Sequence, residues 1–468
     1  MADSTAKGTP APNPEQQLTA LERTLGLFTE VRAGEGATAL ILAANVFLLL
    51  CGYYMIKPVR EALILALDGG AQYKSYVSGL IALILLVAVP VYARFAERVQ
   101  RQRLLISVTL FFATHLMLFY LWIQTEVGAA ALAIVFYVWV GMFSLMVVTQ
   151  FWAFANDLYT EEQGRRLFPL VAAGASIGAG FGSLVLTNAV TPDVQFAMLP
   201  AGATLLCVSA GLFYWAHTRE GGNRSLKDNP STASDKSTPD LNGSFALVMQ
   251  HRYLKLLAAF SLLFTVVNTN GEYMLGALIK QAAESAVAKG EIEPGEIRYF
   301  IGKAYGEFFL YVNIAGVILQ SFVVSRIIRY GGVRLGFLVF PVIVLGTSVA
   351  TAVVPVLAVL RLGKMVENST DYSLNNTMRQ VLWLPTTREM KYKAKQAVDT
   401  FFIRMGDVTS AGVVWLVAGT LSLGVRTFAI LDVVLVVLWL WLARSILKEH
   451  DALHRQAEVK TEPTTSPT

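Results

Sequence analysis

Residues 221–243 read GGNRSLKDNPSTASDKSTPDLNG, and this polar run divides the chain into two hydrophobic parts of similar length. Glycine, serine, proline and charged residues dominate it, a composition typical of a flexible linker. Six hydrophobic segments precede the run and six follow it, each long enough to cross a bilayer as a helix of about 20 residues. They are 36–58, 74–96, 104–123, 128–156, 167–190, 196–217, 255–280, 298–327, 333–352, 354–383, 395–420 and 426–447. We predict an all-α integral membrane protein with twelve transmembrane helices in two six-helix halves.

The composition supports a membrane protein. Of 468 residues, 54% are hydrophobic and only 15% are charged, whereas soluble domains carry about 25% charged residues. This argues against a soluble enzyme and against a nucleic-acid-binding protein, although the formal net charge is +5. Cys51 and Cys207 both lie in apolar runs and provide no disulfide framework. No residue cluster in the sequence predicts a metal site, a cofactor or a catalytic triad.

The charges of the loops predict the topology. The loops after spans two, four, eight and ten are basic, whereas the loops on the other side are acidic or carry few charges. By the positive-inside rule, the basic loops and both termini are cytoplasmic. The basic residues are Arg98, Arg101, Arg103, Arg165, Arg166, Arg326, Arg329, Arg334, Arg388, Lys391, Lys393 and Lys395. Charged residues assigned to the other side are Asp68, Lys74, Glu126, Asp193, Lys280, Glu284, Lys289, Glu291, Glu293 and Glu296.

The predicted organisation has five parts. Residues 1–33 form a disordered tail and an amphipathic surface helix. This segment lacks the basic and apolar regions of a cleaved signal, so we expect it to be retained. Residues 34–217 are the N-terminal half and residues 244–448 the C-terminal half; a cytoplasmic linker, 218–243, joins them, and 449–468 is a cytoplasmic tail. The apolar positions of the amphipathic helix recur every three or four residues: Leu18, Leu21, Leu25, Phe28 and Val31.

Ionisable side chains inside the spans indicate a functional site, because each costs a few kcal/mol in lipid unless it is paired or hydrated. They concentrate in spans one, four, seven, eight, ten and eleven, which face the central cavity in transporters of the major facilitator architecture. We predict substrate-binding side chains at Lys57, Arg60, Asn270, Glu272, Lys303, Glu307, Lys364, Glu367 and Arg404. Gate or ion-pair roles are predicted for Glu61, Asp157, Arg165, Asp371 and Asp407.

Spacing leaves other roles open for some of these residues. Lys303 and Glu307 stand four apart and Arg404 and Asp407 three apart, so each pair is also compatible with an intrahelical ion pair. In span seven, Gly271 lies among polar residues and predicts a local helix break that lines the cavity. In span five, small residues at intervals of four predict close helix packing; they are Gly174, Gly178 and Gly182.

Three stretches carry a family resemblance. Residues 52–63 read GYYMIKPVREAL, residues 151–179 read FWAFANDLYTEEQGRRLFPLVAAGASIGA, and residues 367–407 read ENSTDYSLNNTMRQVLWLPTTREMKYKAKQAVDTFFIRMGD. With two hydrophobic halves of even layout, they resemble the bacterial and plastid ATP/ADP translocase (nucleotide transporter) family, a divergent branch of the major facilitator superfamily. The resemblance covers residues 36–447, and the third stretch is its most specific part.

The resemblance implies that the chain exchanges ATP for ADP, or imports nucleotides, across a bacterial inner membrane. It also implies that Arg60 is the cation of span one and that Glu307 in span eight is functional. Arg404 is the nearest match to a basic residue expected in span eleven, and Pro58 stands where the family has an acid. We expect a monomer without a cofactor, whose partners are a small-molecule substrate and the lipid bilayer, not nucleic acid.

Charge arithmetic leaves the substrate open. ATP carries about four negative charges and calls for a cationic site, but acids outnumber bases inside the predicted spans. A smaller phosphorylated compound and a proton-coupled carrier for a different solute are therefore alternatives; a membrane-embedded transferase and a non-transporting scaffold are rivals of other classes. The six bases are Lys57, Arg60, Lys303, Arg361, Lys364 and Arg404, and the eight acids are Glu61, Asp157, Glu272, Glu307, Glu367, Asp371, Asp399 and Asp407.

Overall fold

A computed structural model describes residues 19–26, 29–96, 99, 101–125, 127–224, 241–387 and 389–461. All regular structure within these residues is helical. The α-helices are α1 (Ala20–Leu25), α2 (Gly36–Leu65), α3 (Gly70–Ala96), α4 (Arg101–Gln124), α5 (Ala129–Leu158), α6 (Glu161–Ala189), α7 (Met198–Arg224), α8 (Leu241–Gln250), α9 (Arg252–Ala288), α10 (Ile297–Ile318), α11 (Val324–Val353), α12 (Leu357–Thr370), α13 (Asn376–Val381), α14 (Lys395–Ala397), α15 (Ile403–Val414) and α16 (Val425–Thr461).

Short 3₁₀ and π turns connect or extend several of these helices. The 3₁₀ turns are Pro192–Ala197 and Pro294–Glu296. The π turns are Leu319–Val323, Asp371–Asn375, Met390–Ala394, Val398–Phe402 and Trp415–Thr420. Four of the five π turns therefore lie in or next to predicted spans ten and eleven, which contain most of the intramembrane charges of the C-terminal half.

Ten stretches of the described residues are helical, long and apolar enough to cross a membrane. One of them, Pro294–Val353, has 60 residues and contains predicted spans eight and nine, with a break in the helical backbone at Gly332, where φ is +64°. The tenth predicted span, 354–383, is not among these ten stretches, but it is helical over α12 and α13. The membrane-helical class is confirmed, and the total of twelve spans stays a prediction.

Some predictions fall on residues that the structure does not describe. They include most of the tail, most of the linker and several loop charges. These positions are residues 1–18, 27–28, 225–240 and 462–468, together with Arg98, Glu126 and Arg388. Of the predicted amphipathic helix, the structure describes the single turn α1 and the residues around it.

Helix α1 is tied to the start of α2 by the Glu22 side chain. Thr19 caps α1, and the Glu22 carboxylate accepts hydrogen bonds from the Thr19 amide at 2.8 Å and the Gly34 amide at 2.6 Å. These backbone donors, first that of Thr19, hold the pKa of Glu22 below its usual range. The segment before the first membrane helix is thus attached to the N-terminal half by hydrogen bonds to a charged group.

Helices α2 and α6 approach each other closely because α6 has glycines at intervals of four. A Cβ atom added at Gly174, Gly178 or Gly182 would lie well inside contact distance of a backbone carbonyl oxygen of α2. The oxygens concerned belong to Ala43, Phe47 and Cys51, which also repeat every four residues. The predicted role of these glycines in helix packing is confirmed.

The two halves pack together at one end of the molecule. We call the end that carries the loops after predicted spans two, four, eight and ten the basic face, and the other end the opposite face. At the opposite face, Gly302 of α10 lies against Ala62, and Gly276 of α9 lies against Leu65. Hydrogen bonds also cross between the halves there, because Tyr299 donates to the Val190 carbonyl at 3.2 Å and Lys280 donates to the Leu67 carbonyl.

Toward the basic face, each half has an apolar core of its own. One cluster joins residues of the C-terminal half, among them Tyr253, Phe337 and Trp439. A smaller cluster around Ala39 and Leu167 belongs to the N-terminal half. The large cluster that contains residues of both halves includes Leu65, Leu275 and Tyr305 near the opposite face. The halves are therefore joined at the opposite face and separate toward the basic face.

The close contact of α2 with α6 predicts the effect of a single methyl group. We expect Gly178→Ala to destabilise the protein by about 1–3 kcal/mol, because overpacking forces backbone or side-chain shifts. Gly180→Ala on the same helix is the matched control, since a Cβ there would meet nothing within 4 Å. Thermal unfolding in detergent measures both variants. Equal midpoints for Gly178→Ala and Gly180→Ala would contradict the packing described here.

Candidate transport site

A chain of charged side chains, most of them buried, joins the two halves near the opposite face. Glu61 of α2 contacts the Arg60 guanidinium with one carboxylate oxygen, and its other oxygen lies 2.9 Å from the Lys74 ammonium. Lys74 also reaches the C-terminal half, where it lies 3.5 Å from a Glu272 oxygen and donates to the Tyr305 hydroxyl at 3.0 Å. Lys74 thus holds together a carboxylate from each half.

The chain continues into the C-terminal half through Lys364. Its ammonium lies 3.9 Å from Glu272 and 3.1 Å from Glu367, and it donates to the Asn268 side chain at 3.0 Å. Lys364 is 1% exposed, so its charge is removed from water and depends on these partners. The charges therefore alternate in sign from Arg60 to Glu367.

The predicted break in span seven at Gly271 is wrong. Helix α9 is continuous over Arg252–Ala288. Gly271 instead makes room for a neighbouring side chain, because a Cβ at this position would lie 3.0 Å from Nζ and 3.2 Å from Cδ of Lys364. Gly271 therefore leaves room for the buried Lys364 side chain, and the α9 backbone remains helical.

Lys57 has an aromatic environment. Its ammonium lies 3.8 Å from the ring centre of Phe309, 5.3 Å from that of Tyr54 and 5.7 Å from that of Tyr53. Among the residues that the structure describes, no carboxylate lies within ion-pair distance of Lys57. Cation–π contacts stabilise an ammonium without neutralising it. Lys57 therefore lies between the halves without a counter-charge among the described residues.

Arg60 combines an ion pair with an aromatic contact. Besides contacting Glu61, its guanidinium lies 4.2 Å from the ring centre of Tyr137. Its side chain is 12% exposed, whereas that of Glu61 is 1% exposed. The predictions for Lys57, Arg60, Glu61 and Glu272 thus coincide with one cluster that spans both halves.

Lys303 and Glu307 lie outside this cluster. The structure places both at a separate cavity of about 360 Å³, lined also by Tyr299 and Arg361. Glu307 pairs with Arg361 of α12 at 2.8 Å, so the suggested intrahelical pair with Lys303 is not formed. The partner from α12 could not be foreseen from spacing along α10.

Asn270 is also separate from the cluster, although it is only two residues from Glu272. Its side chain is fully buried within the C-terminal half, where it donates to Asp432 at 2.8 Å and accepts from Ser410 at 2.8 Å. A contact with substrate would require these helices to move apart. Because α9 turns by about 100° per residue, positions two apart point to different faces.

The predicted gate residues have varied surroundings. Asp407 pairs with Arg404 at 3.4 Å and accepts a hydrogen bond from Thr269 at 3.0 Å. Arg404 and Asp407 therefore form the intrahelical ion pair that their spacing allowed. Asp371 accepts a hydrogen bond from Asn375 at 2.6 Å.

Asp157 and Arg165 are exposed at the basic face, where Arg165 lines a cavity of about 720 Å³. Arg166, the next residue, pairs with Glu35 at 3.0 Å.

Lys74 is the central residue of the cluster, and the prediction that it belongs to the loop between spans one and two is wrong. Helix α3 begins at Gly70, so Lys74 lies in its second turn and is 4% exposed. A signal was available, because a lysine at the edge of span two could reach an acid at the end of span one. The loop assignment followed from the boundary of the predicted span, which starts at residue 74.

The fold matches those of solved transporters. It resembles the nucleoside transporter NupG with a TM-score of 0.59 and 13% identity, over 88% of this chain and 99% of that protein. It also resembles a bacterial homologue of the human lysosomal transporter Spinster, in an inward-facing and unoccupied conformation, with a TM-score of 0.56 and 11% identity over 88% and 97% of the two chains. These likenesses show that the chain has the fold of these solved transporters.

The family follows from sequence comparison. The family described as "TLC ATP/ADP transporter" matches residues 127–358 and 350–450, more than half of the chain, and the chain belongs to this family. Relatives include ADP,ATP carrier protein 1 of Chlamydia muridarum, 22% identical over 68% of this chain and 67% of the relative. ADP,ATP carrier protein 5 of Rickettsia conorii is 24% identical over 66% and 68%.

Because Lys74 pairs with a carboxylate of each half, its removal should destabilise the protein, and the size of the effect should depend on Glu272. Lys74→Met leaves the carboxylates of Glu61 and Glu272 without their shared cation. Removing one partner of a buried ion pair costs about 3–5 kcal/mol, so we expect a markedly lower midpoint of thermal unfolding in detergent. Adding Glu272→Gln should recover part of this loss, because one of the two stranded charges is removed.

Lys289→Met is the control for Lys74→Met. Lys289 is exposed and lies 4.0 Å from Glu291, also exposed, and such surface pairs contribute little to stability. We expect its midpoint to match that of the unmodified protein. Strict additivity of Lys74→Met and Glu272→Gln would contradict the shared ion pair.

Proposed function

We propose that this transporter exchanges ATP for ADP across the inner membrane of a bacterial cell by alternating access of one central site. The relatives carry the name ADP,ATP carrier, and family membership supports the same substrate class here. We also propose that the protein acts as a monomer and that both of its termini face the cytoplasm, as the basic loops indicate.

The uncompensated charge of Lys57 carries the proposal. A phosphate oxygen would supply the counter-charge that the described residues do not provide, and charge-assisted hydrogen bonds of this kind are about twice as strong as neutral ones. Arg60, three residues further along α2, has the fork-like donor geometry that suits phosphate. Both cations belong to α2, while Phe309 belongs to the other half. A ligand at Lys57 therefore contacts both halves at once.

The aromatic side chains around Lys57 suit the nucleoside part of such a substrate. Tyr54 and Phe309 are in edge contact, with ring centres 5.8 Å apart, and both are buried in this conformation. Aromatic faces stack on purine bases and contribute about 1–3 kcal/mol per base. Cations for the phosphates and rings for the base thus lie within one region between the halves.

The closed end suggests how access alternates. The contacts of Lys74 with Glu272 and of Lys280 with the Leu67 carbonyl hold the halves together at the opposite face. For the site to open there, these contacts must break while contacts at the basic face form. A rocking motion of the two halves about a midplane site accounts for both changes.

A proton-coupled carrier for a different solute is the second candidate, and the charge balance of the cluster favours it. The bases Lys57, Arg60, Lys74 and Lys364 face the acids Glu61, Glu272 and Glu367, a net charge of +1 from four bases minus three acids. ATP carries about four negative charges. A substrate with fewer negative charges would match this balance more closely.

Exchange in proteoliposomes tests the proposal. Vesicles preloaded with ADP should take up labelled ATP faster than empty vesicles. Lys57→Met should reduce this uptake at low ATP by roughly ten- to a hundredfold, because a hydrogen bond to a charged group contributes about 1.5–3 kcal/mol. Lys57→Arg, which keeps the charge, should lose less.

Lys289→Met provides the control, as this exposed lysine lies far along the chain from the cluster and should transport normally. ATP uptake that does not depend on internal ADP would contradict exchange. Unchanged uptake by Lys57→Met would contradict the role of Lys57. A pH gradient that drives uptake of another solute without internal substrate would favour the second candidate.

A further inference from the structure

The C-terminal half contains a small polar cavity beside the charge cluster of the transport site. It measures about 10 Å³ and lies among α9, α11, α12 and α16, which is room for about one water molecule. Its polar lining consists of Thr347, Ser348, Thr351, Lys364, Glu367 and Asp432. Two carboxyl groups and one ammonium thus meet at a water-sized space inside the membrane region.

Asp432 is the unusual member of this lining. It is 1% exposed, and its Oδ1 accepts a hydrogen bond from the Asn270 amide at 2.8 Å. The Asn270 oxygen in turn accepts from Ser410 at 2.8 Å. Within the described part of the chain, no basic group lies within ion-pair distance of Asp432. An ionised carboxylate at this depth with neutral partners alone is costly, so this acid calls for a positive charge.

Thr351 is a second and independent sign of a missing ligand. Its side chain is 0% exposed, and its hydroxyl has no hydrogen-bond partner among the described residues. It lines the same cavity as Asp432. Buried hydroxyl groups are rarely left without a partner. A water or a small cation in the cavity would supply that partner.

The cavity lies toward the opposite face. Thr351 is two residues from the end of α11 at Val353, and Asp432 is seven residues from the start of α16 at Val425. At 1.5 Å per residue, Asp432 is about 10 Å along the helix from that end. The unpartnered Thr351 hydroxyl thus stands between Asp432 and the aqueous phase at the opposite face.

The cavity is connected to the closing contact of the two halves through Lys364. The charged groups that face Asp432 are Lys364 and Glu367 of α12. Of the other elements packed around it, α9 contributes the Asn270 amide, which donates to Asp432, and α11 contributes hydroxyl groups to the cavity. Helix α15 contributes the Ser410 hydroxyl, which donates to Asn270. Lys364 contacts both Glu367 and Glu272, and Glu272 contacts Lys74. A change of charge at Asp432 therefore acts on a lysine that shares the gate carboxylate.

We propose that this cavity is a monovalent-cation site, that a proton carried by the Asp432 carboxyl group occupies it, and that its occupancy controls the contact between Lys74 and Glu272. In the loading step, a proton from the aqueous phase forms an O–H bond with the Asp432 carboxylate, and the neutral acid results. Release breaks that bond and returns the proton to water. A water molecule fills the remaining space and bridges to Thr351.

The consequence for the gate follows from the competition for Lys364. When Asp432 is ionised, it attracts Lys364 away from Glu272, and Glu272 is left entirely to Lys74. When Asp432 is protonated, Lys364 shares Glu272 and weakens its contact with Lys74. Loading the cavity therefore loosens the closed end of the transporter. This control of the gate by a proton goes beyond the proposed ATP/ADP exchange. Of the two tests below, only the transport test depends on the proposed substrate.

Infrared spectroscopy tests the proton site without any substrate. We expect the carbonyl stretching band of a protonated carboxyl group to grow when the purified protein in lipid is acidified, and Asp432→Asn to lose part of this growth. Asp193→Asn is the matched control, because Asp193 is an exposed acid in the 3₁₀ turn before α7. If the band grows equally in Asp432→Asn and in the unmodified protein, the proposal is overturned.

Transport tests the coupling. With ADP-loaded vesicles and labelled ATP, an acidic exterior should speed uptake several-fold in the unmodified protein, whereas Asp432→Asn should keep exchange but lose the stimulation. Thr351→Val, which keeps the volume and removes the hydroxyl, should reduce the stimulation and keeps the test available if Asp432→Asn does not fold. Stimulation that survives in both variants would overturn the coupling.

Two further outcomes separate the hypotheses. If a sodium gradient at equal pH stimulates uptake and Asp432→Asn abolishes this effect, the cavity binds Na⁺ and the assignment to a proton is overturned. If the unmodified protein takes up no ATP at all, nucleotide exchange fails, and the infrared result still decides whether Asp432 carries a proton.

Discussion

The Lys74 ammonium, held between Glu61 of one half and Glu272 of the other, is the interaction on which the observed conformation depends. Charges removed from water require close partners, and Lys74 finds its partners only when the opposite-face ends of the halves are together. The glycines at positions 276 and 302 allow this approach, because side chains of α2 occupy the space beside them. Apolar packing and one shared cation thus determine which end of the transporter is closed.

The same constraint divides the remaining charges by role. Lys364 pairs with Glu272 and with Glu367 and links the gate to the interior of the C-terminal half. Lys57 has aromatic rings in place of a carboxylate, so its charge is available to a substrate. Asp432 has an amide in place of a cation, so its charge must be removed or balanced by something that the chain does not supply. Functions are inferred at Lys57 and Asp432, neither of which has an ion-pair partner among the described residues.

Much of the architecture was predictable from the sequence, and the site only in part. The apolar segments and the role of Gly178 in packing followed from composition and spacing, whereas the roles of Lys57 and Arg60 stay predictions. Gly271 was misinterpreted, because a glycine among polar residues suggests a broken helix as readily as it suggests space for a neighbouring lysine. Lys303 and Glu307 have the right type and depth for the site, but they lie at another cavity. The rotation of α10 about its axis decided this, and the sequence does not reveal it.

The sequence by itself determined the membrane-helical class and the separation into two hydrophobic halves. The physical reason is local, since a segment in lipid must satisfy its own backbone hydrogen bonds and expose apolar side chains. Tertiary structure alone decided which charges meet. Lys74 and Glu272 are 198 residues apart in the chain, and Asn270 and Asp432 are 162 apart. Such pairs depend on how helices are placed and turned against one another, and packing of the whole molecule determines that placement.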